Sequence, residues 1–394
     1  MAAVIRQVKE SERQMIAEIY NNSYKTGLEM GQKWAEKSVL SNTRAIFEGK
    51  HIVSIIQILP YEIWVGGKVI PMGGIGGVAT RADSQGKGYA GALMTDSVRD
   101  MREHKQWTSI LYPFSHAYYR KFGWELCGHR LVFREFKQDA IRPFDEKKLV
   151  RFCEPEKEIP LLDKIYTQYA KKYNLTVKRT KLLWTQKIDQ IMKDKGQGYI
   201  IEDKSEGIGY MLCTHNRIEF GHECMIKEFA CLNLTAYKAF FGFLQQMPNN
   251  ISRFQIHTPS YPVLWKYLRE PFSCRITSEP VFQFRVVDVQ KAVELRGYPE
   301  DAKGKITFSI KDDCGKWNEG PWKLELESGK AKLSKTSDTP EFSCTIQTFS
   351  ELYSGYRVAD DLTADGKLEI SSLSKLPFLK SAFFDRTTHI MDYF

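Results

Sequence analysis

The chain has 394 residues, 42% hydrophobic, 13% aromatic and 27% charged, with 57 Lys and Arg against 48 Asp and Glu for a net charge of +9. That length exceeds one ordinary core and predicts two or three domains, and the aromatic content excludes a disordered chain. Basic residues are interspersed with acidic ones, with no zinc-finger spacing, RNA-binding aromatic motif, signal-peptide core or membrane-length apolar run. The reading is therefore no nucleic-acid partner, no membrane and a cytoplasmic address, with a nucleotide cofactor's phosphates sufficing as anionic partner. The eight cysteines form no C-x-x-C pair and most sit in apolar surroundings, so they read as reduced core thiols, with no disulfide framework and no metal.

In chain order, a strand is predicted at 4–7 and an amphipathic helix over 11–24. Residues 44–47, 51–59 and 62–65 read as strands, with hairpin signals at Glu48-Gly49 and Gly66-Gly67. A strand over 68–80 carries Gly73, Gly74, Gly76 and Gly77. A helix over 88–103 follows, then a strand at 109–112, a helix at 117–122 and a strand at 131–136. A boundary near 145 closes a first domain, 1–145. In the second, 146–286, a helix at 161–173 precedes strands at 199–201, 208–214 and 225–230 and a helix over 234–246. That order repeats the first domain, but Cys231-Leu232-Asn233-Leu234 stands where the first has Gly86-Lys87-Gly88. The pattern predicts a duplicated domain whose second copy has lost its cofactor loop. The third, 287–394, shows strands at 305–310, 322–326, 331–334 and 342–346. Helices at 349–356 and 371–376, the latter ended by Pro377, make it a small α+β domain.

The most informative stretch is Val78-Ala79-Thr80-Arg81-Ala82-Asp83-Ser84-Gln85-Gly86-Lys87-Gly88-Tyr89-Ala90-Gly91. A strand end, a glycine turn and a helix start converge backbone N–H groups and the positive end of the helix on one point, which suits a pyrophosphate. The string lacks the Ser or Thr of a Walker loop. It fits G-x-G-x-x-G, but follows several strands rather than the first, unlike a dinucleotide fingerprint. Taken alone, it is equally a glycine turn before an ordinary helix.

Some thirty residues on, Tyr119-Arg120-Lys121-Phe122-Gly123-Trp124 matches the Y-x-K-x-G-[FYW] pattern, and here the sequence resembles the GNAT superfamily of N-acetyltransferases. The whole chain, with its degenerate second copy and Asp312-x-x-Gly315-x-Trp317-Asn318-x-Gly320-x-Trp322, resembles the enhanced intracellular survival (Eis) family. The resemblance implies an α/β fold of tandem GNAT domains plus a sterol-carrier-protein-like α+β domain. It also implies acetyl-CoA as co-substrate, an aminoglycoside-like or lysine amine as acceptor, and a homo-oligomer, a hexamer. Carried onto this chain, it puts Val78, Ala79, Thr80, Gln85, Gly86, Lys87, Gly88, Tyr89, Ala90, Gly91, Phe114 and Ser115 against the cofactor. Ser84 and Gln85 replace arginines that often precede the turn, leaving Lys87 to help the phosphates. Tyr119 matches the general acid, against the alternative of a packed helix tyrosine. The terminal carboxylate of Phe394 matches the base, at the end of a tail too aromatic to be a solvated end. Tyr24, Trp34 and Tyr393 are candidates for the amine pocket, although Tyr24 and Trp34 equally suit a core. The rival expectations are a longer-chain N-acyltransferase and a lipid-binding protein acting through residues 290–394.

Overall fold

The computed structural model describes residues 4–25, 27–260, 264–384 and 386–394. Two compact units emerge: residues up to Cys127 with Phe282–Arg386 and Asp392–Phe394, and Gly128–Val281 with Thr387–Met391.

In the first unit, strands Val4–Gln7, Thr43–Glu48, His51–Val65 and Lys68–Thr80 pair antiparallel in succession. Helix Tyr89–Glu103 then returns the chain so that Thr108–Leu111 lies parallel to Lys68–Thr80. Gln283–Val286, the end of strand Arg275–Val286, pairs with the other edge of Thr108–Leu111. His51–Val65 is one strand where the sequence predicts two. Pairing with Thr43–Glu48 ends at Gln57, so Pro60 falls where one edge is free and a missing N–H is tolerated. Leu93, Met94, Val98 and Met101 bury one face of the helix against Ile46, Ile56, Ile75 and Leu111. Helix Leu28–Lys37 packs on Arg13–Tyr24. A Cβ on Gly31 would sit 2.6 Å from the Ala17 carbonyl oxygen, so glycine permits that approach.

The same unit holds a second sheet, in the order Lys330–Lys335, Gly320–Glu327, Gly304–Lys311, Phe342–Thr345, Glu369–Ile370. The Asp312–Trp322 motif is its bracket. Buried Asp312 accepts two bonds from buried Arg285 (2.6 and 2.8 Å), one from Asn318 Nδ2 and two from the Cys314 and Gly315 amides. Asn318 and Trp317 donate to the Val287 carbonyl, both at 2.9 Å, and Trp322 donates to Asn318. Arg285 Nη1 caps the Phe122 carbonyl, and a Cβ on Gly123 would overlap that guanidinium at 1.6 Å. Gly123 also sits at φ +91°, which suits glycine on a second count. One expectation is corrected. Pro377 does not end a helix; it opens one, Leu376–Ala382, because proline's missing N–H is harmless in a first turn.

In the second unit, Val150–Cys153, Gln197–Asp203, Glu206–Arg217 and His222–Cys231 pair antiparallel. Helix Leu234–Gln245 leads to Ile251–Thr258, parallel to His222–Cys231, and Leu131–Phe136 pairs on its far side. The expected strand-strand-strand-helix order is present. Helix Lys181–Lys193 and strands Val150–Cys153, Ile251–Thr258 and Arg275–Val286 were not expected. Polar residues break their apolar patterns, as in Ser252, Arg253, Gln255 and His257.

Removing one partner of a buried pair leaves the other charge uncompensated. Asp312→Ala should therefore destabilise the protein by about 3–5 kcal/mol, read as a lower urea midpoint. A midpoint within error of wild type would remove the bracket from the account.

Candidate active site

Strand Lys68–Thr80 changes character halfway. Its parallel pairing with Thr108–Leu111 covers only Met72–Ile75. On the other edge, Gln57 pairs with Gly76 but Ile55 with Ala79, so Gly77 and Val78 together face Ile56. This is a β-bulge, and Gly77 takes φ +56° in it. From Gly76 to Thr80 the strand therefore has one unpaired edge among the described residues, and the sheet splays open there.

Three aromatic groups line this opening. A Cβ on Gly77 would lie 2.3 Å from the Tyr20 hydroxyl, which accepts from Gln57 Nε2 at 3.1 Å. Tyr24 donates to the Val78 carbonyl at 2.7 Å. Trp34 stands edge-on to both, with ring centroids at 5.6 and 5.7 Å. Tyr24 and Trp34 are half-exposed and Tyr20 is buried, so this trio is part wall and part core.

After the strand, the chain passes through a short turn at Ala82–Ser84 into helix Tyr89–Glu103. Gly86 and Gly88 take φ +78° and +82°, and a Cβ on either would meet nothing within 4 Å. Gly88 is the N-cap, with no side chain bonding the first amides. The turn is thus open and backbone-lined at the positive end of a helix, a cradle whose shape suits a phosphate group. Lys87 pairs with Glu48 at 3.4 Å and Tyr89 donates to the same carboxylate. The sequence marks Glu48 only as part of a hairpin signal, not as a partner of this turn. Gly91 also lets the ring of Phe122 approach, at 3.2 Å from its Cβ position.

Ser115 caps helix His116–Arg120 by accepting from the Tyr118 amide at 3.3 Å. Phe114 is 76% exposed, its ring 5.3 Å from that of Tyr119. Tyr119 is only 3% exposed. Burial, and next the neighbouring hydroxyls of Tyr24 and Tyr118, push its pKa well above the ordinary tyrosine value. It therefore stays protonated across neutral and mildly basic pH.

The chain end lies over the first half of the opening. A Cβ on Gly74 would sit 2.6–3.1 Å from the Phe394 ring, and one on Gly76 would sit 3.5 Å from its carboxyl carbon. The ring lies between Tyr61 (4.7 Å) and Tyr112 (5.3 Å). Tyr112 also donates to the Asp392 carbonyl and packs its ring at a tilt against that of Tyr393, which is 64% exposed. Tyr61 and Tyr112 had not been picked out. The available signal was glycine inside a strand, which marks close approach by another group.

Comparison with known proteins agrees with this fold. Residues 4–127 and 175–286 each match a family model described as an acetyltransferase (GNAT) domain, and 289–391 match a sterol carrier protein domain. An uncharacterized N-acetyltransferase of Streptomyces avermitilis is 21% identical over 367 residues, 89% of this chain and 88% of that one. A GCN5-related N-acetyltransferase from Anabaena variabilis shares the fold over both full chains, with a TM-score of 0.91 at 23% identity. Eis1 from Mycobacterium abscessus does so with a TM-score of 0.82 at 17%. The chain thus carries two stretches that match GNAT acetyltransferase domains. It is an acetyltransferase of Eis-like architecture, two GNAT domains followed by a sterol-carrier-type domain.

Two substitutions test the geometry. Gly88→Glu should abolish acetyl-CoA binding in a calorimetric titration, because its side chain fills the cradle with like charge. Gly74→Ala should dislodge the Phe394 ring. Overpacking of about 1–3 kcal/mol corresponds to a roughly five- to hundredfold loss of acetyl transfer, with acetyl-CoA affinity unchanged. Unaltered turnover in Gly74→Ala would mean that the tail's seat is irrelevant to the reaction.

Proposed function

We propose that the enzyme transfers an acetyl group from acetyl-CoA to a cationic primary amine, on a multi-amine compound or a lysine side chain, with the chain's own terminal carboxylate as base. The observation that carries this reading is the seat of Phe394 on Gly74 and Gly76, beside the bulge at Gly77. Val78, Ala79 and Thr80, then Gln85 through Gly91, with Phe114 and Ser115, would hold the co-substrate, which supplies the acyl group activated as a thioester.

An α-carboxyl ionises at about 3.5, so Phe394 is anionic at neutral pH. It accepts a hydrogen bond from the incoming ammonium and takes its proton, directly or through water. Backbone N–H groups at the bulge meet the charge that develops on the thioester oxygen. Tyr119 donates to the departing sulfur. Tyr24, Trp34 and Tyr393 border the acceptor, and their ring faces favour a cation.

Only the first GNAT copy takes the co-substrate in this reading. In the second, Asn233 accepts from the Ala236 amide at 2.9 Å and so occupies the helix end that Gly88 leaves free. No described helix is long and apolar enough to cross a membrane. The Eis resemblance supports a hexamer, measurable by light scattering.

Tyr119→Phe should lower kcat roughly a hundredfold, within the range of one general acid, with little change in KM for acetyl-CoA. Because its pKa is raised, the acid form persists as pH climbs. The wild-type kcat/KM should accordingly show no falling limb below about pH 10; one near pH 8 would assign the acid elsewhere.

Residues added after Phe394, or its deletion, should cut acetyl transfer while sparing acetyl-CoA affinity. Loss of a charge-assisted partner costs about 1.5–3 kcal/mol, roughly ten- to more than a hundredfold. Equal activity of C-terminally extended and N-terminally tagged enzyme, both folded, would refute a catalytic terminus.

A further inference from the structure

Two neighbouring strands of the second unit carry a group of donors that acetyl transfer does not use. Cys213 and His215 lie two apart on Glu206–Arg217, and Cys224 pairs directly with His215 across the ladder. Residues two apart, and residues directly opposite, share a face of the sheet, so all three point the same way. The two sulfurs and one ring nitrogen lie within 4.8 Å of one another. Both thiols are buried and neither is in a disulfide.

The surroundings are those of a polar centre rather than of a plain core. His215 Nε2 is 3.9 Å from Cys213 Sγ and 3.2 Å from Gln197 Oε1, which also accepts from the Tyr199 hydroxyl at 2.9 Å. His222, two residues before Cys224, is on the same face. The Nδ1 atoms of His215 and His222 are buried with no hydrogen-bond partner among the described residues. Buried polar atoms are nearly always partnered, so two orphans together point to something that is to be bound. Both histidines line one cavity of about 440 Å³, closed on its apolar side by Phe243 and Met247.

We propose that Cys213, His215 and Cys224 bind one Zn²⁺ ion, its fourth tetrahedral position open to this cavity. Two thiolates and an imidazole are a set that zinc favours over the hard cations. Zinc bonds of about 2.3 Å to sulfur and 2.0 Å to nitrogen put tetrahedral ligands roughly 3.5–3.8 Å apart. The donors therefore need shift by no more than about an ångström. Each thiol releases its proton on binding and His215 contributes a neutral lone pair. The two thiolates cancel the charge of the ion, so no net charge is left buried. The open fourth position takes water or a small donor ligand from the cavity. His222 stands at the rim as its hydrogen-bonding neighbour.

The test is Co²⁺ and Zn²⁺ titration of the reduced, untagged full chain. Wild type should take up one Co²⁺ per chain, with thiolate-to-cobalt charge-transfer absorption and the strong visible bands of tetrahedral cobalt. Zn²⁺ should bleach both. Cys224→Ser and His215→Gln should weaken uptake by at least about a hundredfold, beyond what loss of a supporting contact does. Cys274→Ser, outside the cluster, and His222→Ala should keep the bands. Circular dichroism separates lost binding from lost fold, and the wild-type spectrum needs no variant. No thiolate absorption in wild type would overturn the site, as would bands that survive in folded Cys224→Ser. A wild-type mass lower by two hydrogens, with no metal taken up, would make the pair a disulfide instead. Loss of the bands in His222→Ala would overturn the open fourth position.

Discussion

The site rests on one irregularity in hydrogen bonding. Within two or three residues of strand Lys68–Thr80, pairing to Thr108–Leu111 stops at Ile75 and pairing to His51–Val65 slips at Gly77. Backbone groups that a continuous sheet would consume are thereby left facing an opening. The four glycines around the slip serve as seats. A Cβ on Gly73 would run into Met101 and Gln106, one on Gly74 into Phe394 and one on Gly77 into Tyr20. Alternation sends Gly73 toward the helix layer while Gly74 and Gly76 face the tail. A strand of ordinary β-branched residues would keep the pairing and shut out the chain end.

The second copy keeps the irregularity and fills it. Strand His222–Cys231 pairs in parallel with Ile251–Thr258 only as far as Ile226, and its antiparallel pairing slips between Ile226 and Glu228. Into this place it puts the fully buried Glu228 carboxylate, bonded twice to Arg179 at 2.7 Å and once to Lys187 at 2.6 Å, with Tyr210 donating to it. Burial alone would push that carboxyl up; Arg179 and Lys187 more than offset it and hold it well below the usual range. A buried ion cluster of this kind is costly to open, since freeing one member strands the others. Asn233 closes the helix end, so the slipped strand and the helix start of this copy are each satisfied from within. The duplicated topology has persisted where the vacancy has not.

What the sequence disclosed follows from where the signals are local. Gly86-Lys87-Gly88 and Ser115 are read by their immediate neighbours, and their helix starts are where spacing puts them. The order of strands and helices in both copies was legible because apolar runs alternate with turn residues. Long-range partners were not. Arg285 and Asp312 are 27 residues apart, and Tyr61, Tyr112 and Phe394 meet only through the fold. Strand Ile251–Thr258 is hidden in the sequence because its half-buried positions, Ser252, Arg253, Gln255 and His257, are all polar, and Pro377 is ambiguous because proline can open a helix as well as close one. Cys213, His215 and Cys224 follow no metal-binding spacing; only the strand register brings them together.

The tail shows how magnitude decides between a frayed end and a fixed one. Ordering the backbone of the last three residues costs about 1–2 kcal/mol each, and ordinarily nothing at a terminus offsets it. Here the Phe394 ring is half-buried against Tyr61, Tyr112 and the bare face of Gly74, and it gains a part of the about 1.5–3 kcal/mol that full burial of such a side chain contributes. Aromatic pairing adds about 0.5–1.5 kcal/mol for each well-placed contact, and the Asp392 carbonyl accepts from Tyr112. These terms are of the same size as the ordering cost, whereas a terminal serine or lysine would supply almost none of them. Tyr393, largely exposed, contributes one tilted ring contact with Tyr112. Most of the offset therefore comes from the very residue whose carboxylate is proposed to act. Holding the base and identifying the last side chain become a single requirement, met by phenylalanine against glycine.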